Sequence, residues 1–476
     1  MPTSLTLASR LFVLMTGRTV QLGLALIATA LLTRILGPSG FGHYRSAVAY
    51  LGLVVVLADL GLASIFVRSI SRPGADQDRL VANALALRLV VAVAAMGLAV
   101  AISFLLPLDD TVRLAVAGGA GGFVAYSVHL LLFGLFQQRL RQRNVMLAEI
   151  GGGLILLAFI VVLSRLGADP LWFVVALGLS YIATLLMSLL AARHLVTLGL
   201  RVERDVWRNY VKEALPLAGA ATLSIVYVRA DIVFLAILQP AEVVGLYGVP
   251  IKIFDALMGL ALLYAGLFAP LFGKTATSDP KAFGQYLETS VRGLIIGAVG
   301  VALVLHVLAE YLVVLLAGPE FAGSAVILQV LGVMFVLHAT TILFRESVTA
   351  LGLQSRLVAG YALGLAVALV SYISLIPVLG GVGAAISLVL AEIVVVLYVV
   401  RVIKVATGKR VSFRKPLVAL ACGLVAAAAT DFAFVEDMHW AVVLLSVLAL
   451  FGALLLLTRC LDPRELYGII AQFRER

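Results

Sequence analysis

Long apolar runs follow one another from one end of the chain to the other, and Lys and Arg collect in every second gap between them. Nothing else in the sequence constrains the fold as strongly. The chain has 476 residues, of which 63% are hydrophobic and only 13% charged. Soluble domains run near ~45–50% apolar with about a quarter of their residues charged, so a soluble core cannot hide this much apolar surface. Lipid must be the solvent for most side chains. A hydrocarbon layer of roughly 30 Å takes about 20 apolar residues per helical crossing. The runs are continuous rather than alternating at period two, which excludes a barrel. The expectation is an all-α polytopic membrane protein.

About fourteen spans can be placed, near 11–36, 45–70, 80–106, 112–136, 147–164, 171–192, 213–238, 244–272, 285–316, 323–350, 357–376, 382–402, 417–435 and 440–458. One set of gaps and tails holds 25 of the 35 Lys and Arg, including Arg139, Arg141 and Arg143, and the group from Arg193 to Lys212. The opposite set holds at most Arg34, Arg45, Arg113 and Arg165. By the positive-inside rule the first set is cytoplasmic, which puts both termini inside. The net charge of +10 thus orients spans and calls for no nucleic acid. The two cysteines, Cys422 and Cys460, make no disulfide framework, and no Cys/His metal spacing occurs. The first apolar run is too long for a cleavable signal peptide and is expected to stay as a span.

Four segments follow: an N-terminal six-helix lobe (1–192), a cytoplasmic interfacial link (193–212), a C-terminal six-helix lobe (213–403), and an extra helix pair with an amphipathic cytoplasmic tail (404–476). Val206, Trp207, Tyr210 and Val211 form an apolar face on the link beside Arg204 and Arg208; Leu466, Ile469, Ile470 and Phe473 do the same in the tail beside Arg464 and Arg474. Both patterns predict interfacial helices. An internal repeat supports the division. Ile35-Leu36-Gly37-Pro38 leads to Gly42 and Tyr44, and Ile237-Leu238-Gln239-Pro240 leads to Gly245 and Tyr247. The prolines lie 202 residues apart and the tyrosines 203. Each copy joins the first and second spans of a six-span block, so the halves read as parallel repeats about an axis along the membrane normal.

The stretch Thr33-Arg-Ile-Leu-Gly-Pro-Ser-Gly-Phe-Gly-His-Tyr44 and the later Ala58-Asp-Leu-Gly-Leu62 resemble the opening of Wzx-type polysaccharide flippases. These belong to the multidrug/oligosaccharidyl-lipid/polysaccharide (MOP) exporter superfamily. Leu215-Pro216, Arg229-Ala-Asp231, Val244-Gly-Leu-Tyr247 and Ala317-Gly-Pro-Glu-Phe-Ala322 resemble the matching region of the second half. The resemblance implies two six-helix lobes in a V shape. It also implies a substrate, an undecaprenyl-pyrophosphate-linked oligosaccharide carried from the cytoplasmic to the outer leaflet of a bacterial inner membrane. The extra helix pair resembles that of lipid II flippases. Membrane lipids, and other polysaccharide assembly proteins, are the partners it implies.

Six cations remain within spans: Arg18, Arg88, Arg229, Lys252, Arg292 and Arg345. A charge at mid-span costs about 2.5–3.5 kcal/mol on insertion scales, so each should face a cavity or a partner. Arg18 and Arg229 fall in the first span of each block and Lys252 in the next span of the second. Fixed guanidinium forks suit a pyrophosphate. Salt bridging or snorkelling is the plainer reading, above all for Arg88 and Arg292 near the inner surface. Asp59, Asp231, Asp255, Glu310, Glu346, Glu392 and Asp431 also lie within spans. Asp59, Asp231 and Asp255 could bind a coupling proton or sodium ion, or simply pair with the cations. Adjacent Arg345 and Glu346 are expected to find partners on other helices. His129, His306 and His338 are scattered and read as packing groups. Gly151-Gly-Gly153 reads as close helix packing.

No covalent chemistry, soluble cofactor or ATP site is expected. A cation-coupled drug or metabolite exporter of the same superfamily is the alternative within transport, followed by a lipid II-type flippase. A membrane polymerase or ligase would need a large outer loop, and the expected outer loops are only a few residues long.

Overall fold

The computed structural model describes residues 4–59, 61–407, 414–432, 440–458 and 460, without the side chains of 4–15, 215–222, 224–225 and 430–432. The tail residues Leu466–Phe473 and the side chain of Asp431 lie outside what is described. The described chain is helical: α1 (Ser4–Asp59), α2 (Leu62–Ile70), α3 (Gln77–Leu105), α4 (Asp110–Gln138), α5 (Gln142–Arg165), α6 (Pro170–Ala192), α7 (Arg204–Arg229), α8 (Asp231–Leu238), α9 (Ala241–Thr275), α10 (Pro280–Ala317), α11 (Ala325–Ala350), α12 (Gln354–Thr407), α13 (Arg414–Phe432) and α14 (Trp440–Leu457).

Ten of these helical segments are long and apolar enough to cross a membrane. Two of them are too long for one crossing. At about 1.5 Å per residue, α1 and α12 would each be more than twice as long as the hydrocarbon layer is thick. Each is broken once, at Gly37 (φ 63°, ψ −178°) and at Gly380 (φ 54°, ψ −129°). A side chain resists such left-handed φ values, and glycine accepts them. Each broken helix therefore supplies two spans. With α7–α8 and α13, the expected arrangement of about fourteen transmembrane helices is accounted for.

The chain divides into two compact units. Unit 1 holds 1–249 with 314–321 and 368–384, and unit 2 holds 250–313, 322–367 and 385–476. In unit 1, α4 and α6 pack with almost nothing between them: a methyl on Gly122 would lie 2.0 Å from the Gly178 Cα. Gly151-Gly-Gly153 behaves as the sequence suggests. Methyl groups there would meet Met187 at 2.8 Å, Thr184 at 1.9 Å and Leu24 at 3.2 Å, so α5 is pressed onto α6 and α1. The end of unit 1 that the basic loops mark as cytoplasmic is filled by Phe66, Ile70, Leu85, Leu131, Phe136 and Val145.

In unit 2, Gly360 and Gly364 let the two limbs of α12 approach through Tyr398 and Val395. Tyr264 on α9 donates to the Ser290 carbonyl of α10 at 3.0 Å. The C-terminal pair is attached to α10. Gly423 of α13 sits against Val299, and the Trp440 ring at the start of α14 stacks on Tyr311 at 5.1 Å. Cys422 and Cys460 are free and buried.

The link differs from expectation. Its apolar residues do not make a separate interfacial helix; they open α7, which runs on into the next span. Val206 and Trp207 pack against the core of unit 1 and Tyr210 is buried in it, while Val211 stays 48% exposed. Hydrogen bonds hold the segment down. Arg79 Nε donates to Glu203 Oε2 at 2.7 Å and Asn83 Nδ2 to Glu203 Oε1 at 3.0 Å. Asp78 accepts from the Thr197 hydroxyl at 2.7 Å, and Trp207 Nε1 donates to the Asn83 carbonyl at 3.2 Å.

Hydrogen bonds from Arg79, then Asn83, hold the Glu203 carboxyl below its ordinary value of 4.5. A depressed carboxyl stabilises the fold above its unfolded value and loses that contribution as pH falls through the folded one. Protection of the Arg201 and Glu203 amides from hydrogen exchange, taken relative to the unstructured rate at each pH, should therefore be high at neutral pH and fall below about pH 4.5. Glu203→Gln should flatten that dependence; an unchanged profile in the variant would assign the protection to other contacts.

Candidate functional site

Candidate residues sit where helices stop short or break. At Pro38 and Pro240 the chain starts a new helical segment, and proline fits there because a first-turn N–H needs no partner. The two segments that follow cross backbone to backbone. A methyl on Gly42 would lie 1.7 Å from the Ala241 carbonyl oxygen, and one on Gly245 1.9 Å from the Pro38 carbonyl oxygen. This reciprocity is what a two-fold axis between the repeat copies produces. The contact is extended within unit 1. Phe41 meets Phe321 edge-on at 6.1 Å, Arg34 donates to the Leu315 carbonyl at 3.0 Å, and Gln239 donates to the Ile376 carbonyl at 2.8 Å. All of it lies at the end that the loop charges assign to the outside.

Behind this crossing are buried polar groups. Tyr247 donates to Asp231 Oδ2 at 2.6 Å, and the Ile232 N–H reaches Oδ1 at 2.8 Å. Tyr372 donates to the Tyr227 carbonyl at 3.0 Å. Arg45, expected in an outer gap, is instead only 6% exposed and packs against Gly248. Nearby, Tyr126 and Tyr181 stack at 4.4 Å.

The sequence-derived candidates separate into distinct environments. Arg88 is fully buried. Its Nη1 pairs with Asp59 Oδ1 at 2.8 Å and donates to the Ala58 carbonyl at 3.2 Å, and its Nε donates to the Ser127 carbonyl at 3.1 Å. It neither snorkels nor presents a surface to an anion, because its guanidinium pins three helical segments together. Asp59 is thereby a charge partner. Arg18 is exposed on the first limb of α1, and Arg229 is exposed in the last turn of α7, where a cation suits the helix dipole. Lys252, Asp255 and Arg292 are partly buried in unit 2. Arg345 reaches its own neighbour Glu346 at 3.5 Å, where partners on other helices alone were expected, and also bonds Tyr361 on α12. Side chains this long can bend around a helix where Cβ positions alone predict divergence.

Two further groups escaped sequence reading. Glu149 accepts from Gln21 and lies 3.3 Å from His129 Nε2. His338 lies 3.1 Å from Glu392, which is fully buried. Glu149 stands close to a basic gap and so passes for a helix-end residue; the buried histidine across from it has no sequence signal.

These elements define a class. The fold matches a lipid II flippase, MurJ, in an inward closed conformation, with TM-score 0.74 at 13% identity, covering 93% of this chain and 98% of that one. It also matches an inward-facing multidrug resistance MATE family transporter of the MOP superfamily, with TM-score 0.64 at 15% identity, covering 82% and 96%. A MOP superfamily transporter from Pyrococcus furiosus aligns with TM-score 0.55 at 16% identity, covering 84% and 95%. The fold is thus the one these structures share. Comparison with curated proteins gives no match. The family model described as polysaccharide biosynthesis protein matches residues 7–276, more than half of the chain, and the chain belongs to that family.

Arg88→Ala should leave Asp59 without its buried partner and cost on the order of 3–5 kcal/mol in stability. Thermal unfolding of the purified protein measures this, and an Asp59→Asn/Arg88→Met double variant should recover part of the loss. At the glycine crossing, Gly42→Val sets a side chain against backbone that cannot rotate away. Overpacking of about 1–3 kcal/mol would shift a two-state equilibrium about five- to 150-fold. Labelling of a Val244→Cys probe by a membrane-impermeant maleimide should rise accordingly.

Proposed function

We propose that this protein is a flippase that carries an undecaprenyl-pyrophosphate-linked oligosaccharide from the cytoplasmic to the outer leaflet of a bacterial inner membrane, for cell-surface polysaccharide synthesis. The reading rests chiefly on one observation. A chain of the polysaccharide biosynthesis protein family keeps an exposed arginine, Arg18, in its first span, surrounded by apolar helix. Exposed arginine in a span is costly unless something anionic or wet meets it. A lipid pyrophosphate is such a group, since its charge must cross the low-dielectric layer.

In this reading Arg18, Arg229 and Lys252 bind the pyrophosphate, and Arg292 and Arg345 are secondary cations. Arg88 has no such role, because it is fully buried against Asp59 and the Ala58 and Ser127 carbonyl groups. The lobes are 1–192 and 213–403, joined by 193–212, and 404–476 adds the extra pair. Both termini are cytoplasmic. Transport proceeds by alternating access, in which the Gly42–Gly245 crossing opens to release the glycan outward. Asp231 and Asp255 serve in ion coupling or charge pairing.

Reconstituted vesicles carrying a fluorescent polyprenyl-pyrophosphate-linked sugar test this. Charge-assisted hydrogen bonds of about 1.5–3 kcal/mol imply a loss of roughly tenfold or more in translocation for Arg18→Ala with Lys252→Ala. Arg18→Lys should retain part of the activity. Full activity in the double variant would remove the headgroup assignment.

A further inference from the structure

Each six-span block carries a histidine on its fourth span: His129 on α4 and His338 on α11, 209 residues apart. In both, Nδ1 faces the sixth span of the same block. His129 Nδ1 lies 3.0 Å from the Ser188 hydroxyl, and His338 Nδ1 lies 3.1 Å from Glu392 Oε2. Ser188 and Glu392 are 204 residues apart, close to the spacing of the proline–tyrosine motif. The block that has serine at this place has its acid elsewhere. Glu149 on the fifth span approaches His129 Nε2 at 3.3 Å. Both blocks thus hold an imidazole–carboxylate pair, with the acid on a different span in each.

In each pair one member is buried and the other is partly accessible. His129 is 1% exposed and Glu149 32%; Glu392 is 0% exposed and His338 19%. Neither pair is sealed on every side by helix packing.

The surroundings favour a proton over a metal cation. Gln21 turns its amide N–H toward Glu149, and an N–H donor repels sodium. Hard cations want several oxygen ligands, which an imidazole does not supply. Among the described residues no group of three or more His, Cys, Asp or Glu is placed to hold a metal ion. Around the first pair, Tyr126 stacks over His129 at 6.3 Å and lies within electrostatic reach of Glu149 and of Arg229 on α7. Around the second, the Phe254 ring of α9 lies 6.5 Å from His338, and Tyr361 on α12 senses Arg345, Glu346 and Glu392. Asp59 is a poorer proton carrier than either pair, because protonating it would strand the buried Arg88 guanidinium.

We infer that His129–Glu149 and His338–Glu392 are proton-binding sites, one in each repeat, through which a proton gradient drives this transporter. The inference rests on the transporter reading, though not on the identity of the glycan. A proton from water on one side converts carboxylate and neutral imidazole into carboxylate and imidazolium. Its release to water on the other side restores the pair, with no redox change.

Two measurements test this. In the first, histidine is labelled with nitrogen-15 in the full-length protein, and spectra are taken between about pH 5 and about pH 8, where imidazole changes charge. His129→Asn and His338→Asn assign the two signals. Glu149→Gln should move the titration of the first and Glu392→Gln that of the second. Signals that stay neutral throughout, or that ignore both glutamine variants, would overturn the assignment. In the second, vesicles of phosphatidylethanolamine and phosphatidylglycerol carry a gradient of about one pH unit, worth up to about tenfold per proton in rate. The ratio of translocation rates with and without the gradient should fall from about tenfold to about one in Glu149→Gln/Glu392→Gln. A wild-type ratio in that double variant would sink the proposal. Failure of the wild type to move the lipid-linked sugar, with the nitrogen signals titrating as stated, would count against the glycan reading and leave the proton sites standing.

Discussion

A charge placed in hydrocarbon must find a counter-charge, a hydrogen-bonding backbone or water, because the medium offers none. Much of what is specific about this molecule follows from how its helices meet that demand. Arg88 meets it through Asp59 and two carbonyl groups, and in doing so joins α3 to the end of α1 and to α4. Asp231 meets it through the Tyr247 hydroxyl and a backbone N–H. Arg18 keeps an exposed side chain instead. A buried ion pair is a structural strut, whereas an exposed guanidinium in an apolar helix is open to a ligand. The same residue type thus serves two ends, and its surroundings decide which.

Movement makes the opposite demand, for contacts that hold and yet can be undone. The crossing of Gly42 with Gly245 suits that demand because it is made of backbone and small surfaces. Without side chains to interlock, two helices meet closely over a short length and part without repacking a core. The reinforcing bonds are few and go mostly to carbonyl groups, as with Arg34 on Leu315 and Gln239 on Ile376. Elsewhere in unit 1 glycines do the reverse. Gly122 on Gly178 and Gly152 on Thr184 fuse α4, α5 and α6 into a stiff group. One residue type makes a stiff group in one place and, in the proposed transport cycle, a seam that parts in another.

The helical architecture was legible in the sequence because lipid imposes it through length and polarity alone. The repeat was legible too, since the Pro38 and Pro240 motifs turned out to be the two halves of one contact. The link was only half legible. Its apolar face was plain, yet the continuity of α7 from Arg204 into a span depends on Trp207 and Tyr210 finding carbonyl groups on α3. The site was least legible. Composition identified Arg88 and Asp59 as charges in spans, and only three-dimensional proximity revealed that they neutralise one another. Arg45 was read as a loop residue because it stands near a proline turn, and only the backward packing of the second limb of α1 buries it. Glu149 was overlooked for the same reason: a position one or two turns inside a helix end has no mark in sequence to say which way it faces.

The two histidine pairs show what duplication leaves behind. If the repeats were held to identical chemistry, the sixth span would present the same residue to both imidazoles. Instead it presents serine to one and glutamate to the other, and the missing acid of the first block is supplied from the fifth span. Packing alone does not call for the carboxylate of Glu149, because the serine–histidine hydrogen bond already satisfies the imidazole nitrogen that faces Ser188. A buried carboxylate carries a desolvation cost that a structural role would avoid. That an acid accompanies each histidine, by two different routes, argues that the pairing itself is what the fold keeps.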